Sequence, residues 1–282
     1  MFKPILIFLQ NGLGQKRKGI DKTVNELFTH YEKKELFLES YKYLISDSND
    51  LTTNLKLMYD VNFNQNNKNI IISIGGDHSM SIGTVSSTLN KFGSNTKVIW
   101  IDAHADINTK KSSITGNVHG MPLSFLTGLD KSNDYDFISE LLKFDNLCYI
   151  GIRDLDIEEI EVIKKHNIKN ILTNEFNSNI TDVIEHLIDW CGTNPIHLSI
   201  DVDSLDPSYM QFTGTRVPEG LELNNLLYFI EKICSKTNIV NVDLAELNLY
   251  NPDCNGLDEK YKNNSFENFN LIFEKLYINL IK

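Results

Sequence analysis

Three short apolar runs in this chain each stop on a cluster of acids and imidazoles. Asn-Ile-Ile-Ile-Ser-Ile (69–74) breaks into Gly75-Gly76-Asp77-His78-Ser79, and Lys-Val-Ile-Trp-Ile (97–101) ends in Asp102-Ala103-His104-Ala105-Asp106. His-Leu-Ser-Ile (197–200) ends in Asp201-Val202-Asp203. β-Branched runs of this length read as strands buried on both faces of a parallel sheet. Ligands of such a sheet bind outside the carboxyl ends of its strands, so groups far apart in sequence can converge there. Residues i, i+2 and i+4 of an extended chain project to one side, which lets Asp102, His104 and Asp106 share a face, as do Asp201 and Asp203.

The rest of the chain fits the same plan. Candidate strands are Pro4–Leu9, Glu35–Ser40, Asn69–Ile74, Lys97–Asp102, Asn146–Gly151, Lys169–Thr173, Pro195–Asp201 and Ile239–Leu244. Helix-period segments fall near 21–33, 79–91, 120–128, 133–143, 156–166, 180–191, 222–235 and 265–280. Polar stretches at 45–54, 61–69 and 250–264 read as surface loops. Strand–helix alternation of this kind predicts an α/β fold: a mainly parallel sheet covered by helices on both faces, in three layers. No repeat, low-complexity tract or convincing linker divides the chain, so residues 1–282 are expected to form one domain.

Composition narrows the function. A net charge of −11 disfavours nonspecific binding to nucleic acid or anionic membranes. The basic run Lys16-Arg17-Lys18 is short and reads as a solvated loop. No stretch reaches the roughly 18 to 20 apolar residues of a membrane span. The apolar start, Ile5 to Leu9, is too short for a secretory core and is expected to be a strand. Cys148, Cys191, Cys234 and Cys254 are scattered without a CxxC pair, which argues against a disulfide framework or zinc ribbon and for a reducing cytoplasm.

Alone, an Asp-x-Asp or a Gly-Gly-Asp-His serves readily as a helix cap or turn. Together, the three strand ends would place at least four carboxylates at close range, a severe repulsion that two divalent cations would resolve. His78, Asp102, His104, Asp106, Asp201 and Asp203 are the candidate ligands. Oxygen donors with two imidazoles suit Mn²⁺, and also admit Zn²⁺, Co²⁺ or Fe²⁺. A metal pair about 3.5–4 Å apart lowers the pKa of a shared water from 15.7 towards 7, which points to a hydrolase.

These motifs, together with Ser199-Ile200-Asp201-Val202-Asp203-Ser204-Leu205-Asp206-Pro207, resemble the three metal motifs of the ureohydrolase family, which includes arginases and agmatinases. The resemblance covers most of the chain and implies an eight-stranded α/β domain of arginase-like fold with two Mn²⁺ per chain. It implies His78 and Asp106 on one ion, His104 and Asp203 on the other, with Asp102 and Asp201 bridging. Within the family, Ser112 to Pro122 is similar to arginases rather than agmatinases. By position, Asn108, Ser113, Thr115 and Asn117 would bind the α-carboxylate of L-arginine, and Asp156, helped by Glu159, its α-ammonium. Asp156 and Glu159 also read simply as acids favoured at a helix N-terminus.

His119 matches the family's proton-shuttle histidine, Glu246 its guanidinium anchor and Thr215 a pocket hydroxyl. The resemblance implies hydrolysis of L-arginine to L-ornithine and urea by attack of a metal-bridging hydroxide on the guanidinium carbon. The departing amine would be protonated through Asp106 or His119. Arg216 departs from the family pattern and is expected either to alter the pocket rim or to pair with Glu219. The family implies a homo-oligomer, trimer or hexamer. The rival readings are an agmatinase or guanidinobutyrase, a non-catalytic metal-binding member, and a one-zinc deacetylase-type hydrolase.

Overall fold

In the computed structural model, which describes residues 3–38, 40–131 and 133–281, eight strands form one sheet. They are β1 (Ile5–Leu9), β2 (Lys42–Ile45), β3 (Ile71–Ile74), β4 (Lys97–Ile101), β5 (Leu147–Ile150), β6 (Lys169–Ile171), β7 (Pro195–Asp201) and β8 (Asn238–Ala245). Their order across the sheet is β2-β1-β3-β8-β7-β4-β5-β6, and every neighbouring pair is parallel. The expected three-layer α/β fold is therefore the observed one.

The helices are α1 (Ile20–Lys33), α2 (Leu51–Phe63), α3 (Ser81–Phe92), α4 (Pro122–Leu126), α5 (Ile157–Lys165), α6 (Thr173–Ser178), α7 (Ile180–Cys191), α8 (Leu223–Lys236) and α9 (Glu259–Leu280). Strand residues alternate between the two faces of the sheet. On one face Leu6, Phe8, Ile72, Ile74, Ile99, Ile101, Leu198 and Val242 pack against α1, α7, α8 and α9. On the other, Val98, Trp100, Leu147 and Tyr149 meet α3, α4 and α5, while Ile5, Ile7, Leu9 and Ile71 meet Met58 of α2. The centre of that second face is polar, because Ser73, His197, Ser199, Asn241 and Asp243 lie buried there. The α3 hydroxyls Ser81, Thr84 and Thr88 satisfy much of it: Ser81 and Thr84 donate to Asp243, which also holds His197 Nε2 at 2.9 Å.

Four expectations change. The strand expected at Glu35–Ser40, which includes Glu39 outside the described residues, is instead a 3₁₀ turn over Glu35–Phe37, and the pairing strand is Lys42–Ile45. The turn drives Phe37 into an aromatic cluster with Tyr31, Phe273 and Tyr277, and that burial outweighs local β propensity. Helix α2 occupies part of a region expected to be loops. Its buried face carries Asn54 and Asn62 beside Leu55 and Met58, which interrupts the apolar period. The helix expected at 133–143 is absent among the described residues; turns there bury Tyr135 and Phe137 against Leu55, Ile82 and Phe125. Finally, α9 begins at Glu259, inside the expected loop 250–264, with Asp258 accepting from Lys260 N at its start.

Candidate metal centre and substrate cleft

The four central strands β3, β8, β7 and β4 end side by side, and each contributes to one buried cluster. After β3 the chain must pass Asn11 and Met80 closely. A Cβ on Gly76 would lie 1.6 Å from the Asn11 carbonyl oxygen, so only glycine fits there. The turn that follows places His78 with its Nδ1 3.0 Å from Asp102 Oδ2, 3.1 Å from Asp106 Oδ2 and 3.3 Å from Asp201 Oδ2. His104 Nδ1 lies 3.2 Å from Asp203 Oδ2 and 3.4 Å from Asp102 Oδ1. All six predicted ligands therefore meet.

The surrounding chain orients them. His78 stacks on Trp100 with ring centroids 4.1 Å apart, and its Nε2 lies 2.8 Å from Ser199 Oγ. Trp100 Nε1 donates to Asp102 Oδ2 at 3.0 Å, and Ala103 N donates to Asp203 Oδ1 at 3.2 Å. Asp106 adopts a positive φ of 49° and Glu246 one of 69°. Non-glycine residues rarely occupy that region, and such strain clusters at functional sites. Backbone bonds from Leu123 N to Asp106 O and from Glu246 N to Gly76 O hold both in place.

The electrostatics of the cluster are those of crowded anions. Burial and the neighbouring Asp102 carboxylate push the Asp106 carboxyl up to about 6. Burial and the carboxylates of Asp203 and Asp102 push Asp201 well up, and burial also raises Asp203. Burial opposes a charge on His78, yet Asp102, Asp106 and Asp201 outweigh it and hold the imidazole well above its ordinary value.

These residues fit divalent cations. His78 Nδ1 is buried without a hydrogen bond, although three carboxylates surround it. Ligand atoms of His78, Asp102 and Asp201 lie within 4.8 Å of one another, as do those of Asp102, His104 and Asp203. Asp102 is common to both groups. Oxygen donors with imidazole are the ligand set of hard and borderline divalent metals.

Above the cage opens a cleft of about 310 Å³. Its lining includes His104, Asp106, Asp201 and Asp203 from the cage, with Asn108, Ser113, Thr115, Asn117, His119, Asp156, Glu159, Thr215 and Glu246. His78 and Asp102, at 1% and 0% exposure, lie beneath its floor. At the mouth, Asn108 Nδ2 donates to Asp156 Oδ2 at 2.8 Å. Glu159 accepts from Ile107 N at 3.2 Å and from Asp156 N at 3.1 Å, so it braces the helix start and the ligand loop together. Burial raises its carboxyl to about 7. Deeper in the cleft, His119 Nδ1 lies 3.0 Å from Glu246 Oε1. Burial opposes the charged imidazole, but Glu246 overrides it and lifts His119 to about 9.

Two expectations about basic residues are corrected. Arg216 is exposed and donates to Gln211 Oε1 at 3.3 Å; its bond is not to Glu219, and it does not line the cleft. Lys16 and Arg17 are not simply solvated: Lys16 Nζ donates to Thr115 O at 3.2 Å, and Arg17 pairs with Asp253 at 2.8 Å and reaches Thr215 Oγ1 at 3.4 Å. Sequence reasoning also passed over Gln15, whose Nε2 donates to both oxygens of Glu246 at 3.1 and 2.9 Å. Gln15 follows the carboxyl end of β1, and that position was the available signal. Arg153 follows the carboxyl end of β5. Its guanidinium donates to the backbone carbonyls of Gly151, Asp203, Ser204, Val217 and Pro218, tying the loops after β5 and β7 together.

The parallel sheet and the double cage define a class: α/β proteins with a carboxylate–imidazole cation site at the carboxyl ends of central strands. The sequence pattern of the arginase family matches residues 20–254, and the chain belongs to that family. An arginase of Coccidioides immitis (strain RS) is 41% identical over 190 residues, 64% of this chain and 59% of the relative. An arginase of Staphylococcus aureus (strain MRSA252) is 39% identical over 197 residues, 68% of this chain and 65% of the relative. The match thus spans about three fifths of the length of the fungal relative. Among solved structures, arginase from Bacillus subtilis subsp. subtilis str. 168 superposes with a TM-score of 0.84 at 27% identity, covering 100% of this chain and 99% of the other. Entamoeba histolytica arginase, solved in complex with L-ornithine, gives 0.83 at 25% identity, covering 97% and 98%.

Proposed function

We propose that this chain hydrolyses L-arginine to L-ornithine and urea. The observation that carries the reading is the coincidence in one cleft of a two-group carboxylate–imidazole floor, the His119–Glu246 pair above it, and the polar mouth of Asn108, Ser113, Thr115, Asn117 and Asp156. Family membership and the ornithine complex of the Entamoeba relative support it.

Two Mn²⁺, one held by His78 and Asp106, the other by His104 and Asp203, with Asp102 and Asp201 shared, would supply Lewis acidity and an activated water at neutral pH. Glu246, whose carboxyl is kept low by His119 against the effect of burial, offers an anion to the planar guanidinium and orients its carbon over the floor. The mouth fixes the other end of the substrate: hydroxyls and amides of Asn108, Ser113, Thr115 and Asn117 donate to the α-carboxylate, while Asp156 accepts from the α-ammonium. Water adds to the guanidinium carbon as one of its protons passes to Asp106, the bond from that carbon to the ornithine nitrogen breaks, and the departing amine is protonated through Asp106 or His119.

On the same terms we assign residues 1–282 to one domain, and the protein to the cytoplasm as a homo-oligomer, trimer or hexamer. Cys148, Cys191 and Cys254 are buried free thiols, which fits a reducing compartment. Among the described residues, no helix is long and apolar enough to cross a membrane. A urea-release assay of the Mn²⁺-loaded chain across L-arginine, agmatine and guanidinobutyrate tests the reading. Release from arginine above all is expected; release from agmatine alone would make it a decarboxylated-guanidine hydrolase instead.

A further inference from the structure

The segment Gly14-Gln15-Lys16-Arg17 packs against residues that line the cleft, and each of its residues bonds to a different part of the site. Gly14 N donates to Asp77 Oδ2 at 2.8 Å and its carbonyl accepts from His119 N at 3.1 Å. Lys16 and Arg17 hold Thr115, Thr215 and Asp253, as described above. Gln15 is only 8% exposed, and its amide nitrogen spans both oxygens of Glu246.

The two oxygens of Glu246 are not equivalent. Oε1 accepts from His78 N at 2.9 Å, lies 3.0 Å from His119 Nδ1, and also faces Gln15. Oε2 has Gln15 as its hydrogen-bond donor among the described residues, at 2.9 Å, and so retains lone-pair capacity. Beside Oε2 lies Gly214, where an added Cβ would stand 2.9 Å from that oxygen. Glycine therefore leaves open the approach to the one carboxylate oxygen with capacity to spare. The Gln15 Oε1 atom is buried and unpartnered, so the bidentate contact to Glu246 is what the amide provides.

We propose that Gln15 is a positioning residue for guanidinium recognition: its amide sets the plane of the Glu246 carboxylate so that Oε2, beside Gly214, accepts a guanidinium N–H. The inference rests on the proposed role of Glu246 and deepens it. A carboxylate bonded on one oxygen only can rotate about its terminal torsion, which is broad and roughly two-fold, and would then offer the cation a mixture of geometries. A donor bridging both oxygens removes that freedom without adding charge.

The test uses the full Mn²⁺-loaded chain with Gln15→Met, which keeps length but removes the donor, and Gln15→Asn, which keeps the amide but cannot span both oxygens. For both variants, kcat/KM for L-arginine is expected to fall at least tenfold. The calorimetric dissociation constant of L-ornithine, which lacks the guanidinium and does not use that contact, should stay within about twofold, while a hydrogen bond to a charged group is worth on the order of tenfold or more. Parallel loss of arginine turnover and ornithine binding would overturn the proposal in favour of a general structural role, and so would an unchanged kcat/KM. Thermal unfolding of each variant identifies a folding defect, and either variant that folds decides the question. If the unsubstituted chain releases no urea from L-arginine, the functional reading itself falls and this inference with it; that outcome shows before any variant is compared.

Discussion

His78 and Asp102 face each other across 3.0 Å, Nδ1 to Oδ2, from the ends of β3 and β4, two strands with β8 and β7 between them in the sheet. Trp100 braces both, by stacking on the imidazole and by donating to the same Oδ2. With Ser199 at Nε2, the Nδ1 lone pair is the one left to point into the cage.

Because Asp102 belongs to both candidate ligand groups, Asp102→Asn removes charge from two positions at once while keeping side-chain volume. The variant is expected to lose most of its bound Mn²⁺ on dialysis, and urea release should drop by about 100-fold or more, beyond the 10- to 100-fold typical of residues that only support a ligand. Metal content by atomic absorption, read beside activity, checks this. Retention of full metal with full activity would contradict the sharing.

At the mouth, Asp156 pairs with Asn108 and faces the cleft. Asp156→Ala should raise KM for L-arginine about tenfold to a hundredfold, the range for a lost charge-assisted hydrogen bond. Any residual turnover of guanidinobutyrate, which lacks the α-ammonium but keeps the carboxylate and the guanidinium, should change much less. Steady-state kinetics on both substrates separate recognition of the amino-acid end from general damage.

His119 makes stability depend on pH. Its value is raised from 6.5 to about 9 because Glu246 overrides the cost of burying the imidazolium. A group that gains a proton more readily when folded contributes stability fully present below pH 6.5 and lost as pH rises through about 9. Denaturant unfolding should therefore show a fall of about 3 kcal/mol between those limits, flattened in His119→Gln. An identical slope in the variant would remove His119 as the cause.

Beneath the site, Asp243 and His197 form a fully buried pair 2.9 Å apart, with Ser81 and Thr84 donating to the same carboxylate. Breaking such a pair on one side leaves uncompensated polar groups in the core. Asp243→Ala is expected to cost about 3–5 kcal/mol of unfolding free energy, read by urea denaturation. A loss below about 1 kcal/mol would mean that the α3 hydroxyls repair the gap.

The strand-end motifs were legible because their information is local. A β-branched run breaking into Asp102-Ala103-His104-Ala105-Asp106 states its own period and termination, and the parallel-sheet rule supplies where the ends meet. The same logic found β1, β3, β4, β5, β6, β7 and β8 with small shifts at their boundaries. It failed where burial was settled by distant partners. Phe37 left an expected strand for an aromatic cluster with Phe273 and Tyr277, more than 230 positions away, and α2 hid its amphipathic period behind the buried Asn54 and Asn62.

What the chain determined by itself is the kind of chemistry: acids and imidazoles at three strand ends carry more negative charge than a buried site tolerates without cations, whatever order the strands take. Only the tertiary structure decided the arrangement. The sheet order brought β3, β8, β7 and β4 together, which makes Asp102 common to two ligand groups. It also packed the segment after β1 against residues that line the cleft, so that Gln15 clamps Glu246, 231 residues away. Spacing along a chain sets which side chains share a face, but contact between segments depends on strand order and on which surfaces the core can bury, and those are properties of the whole fold.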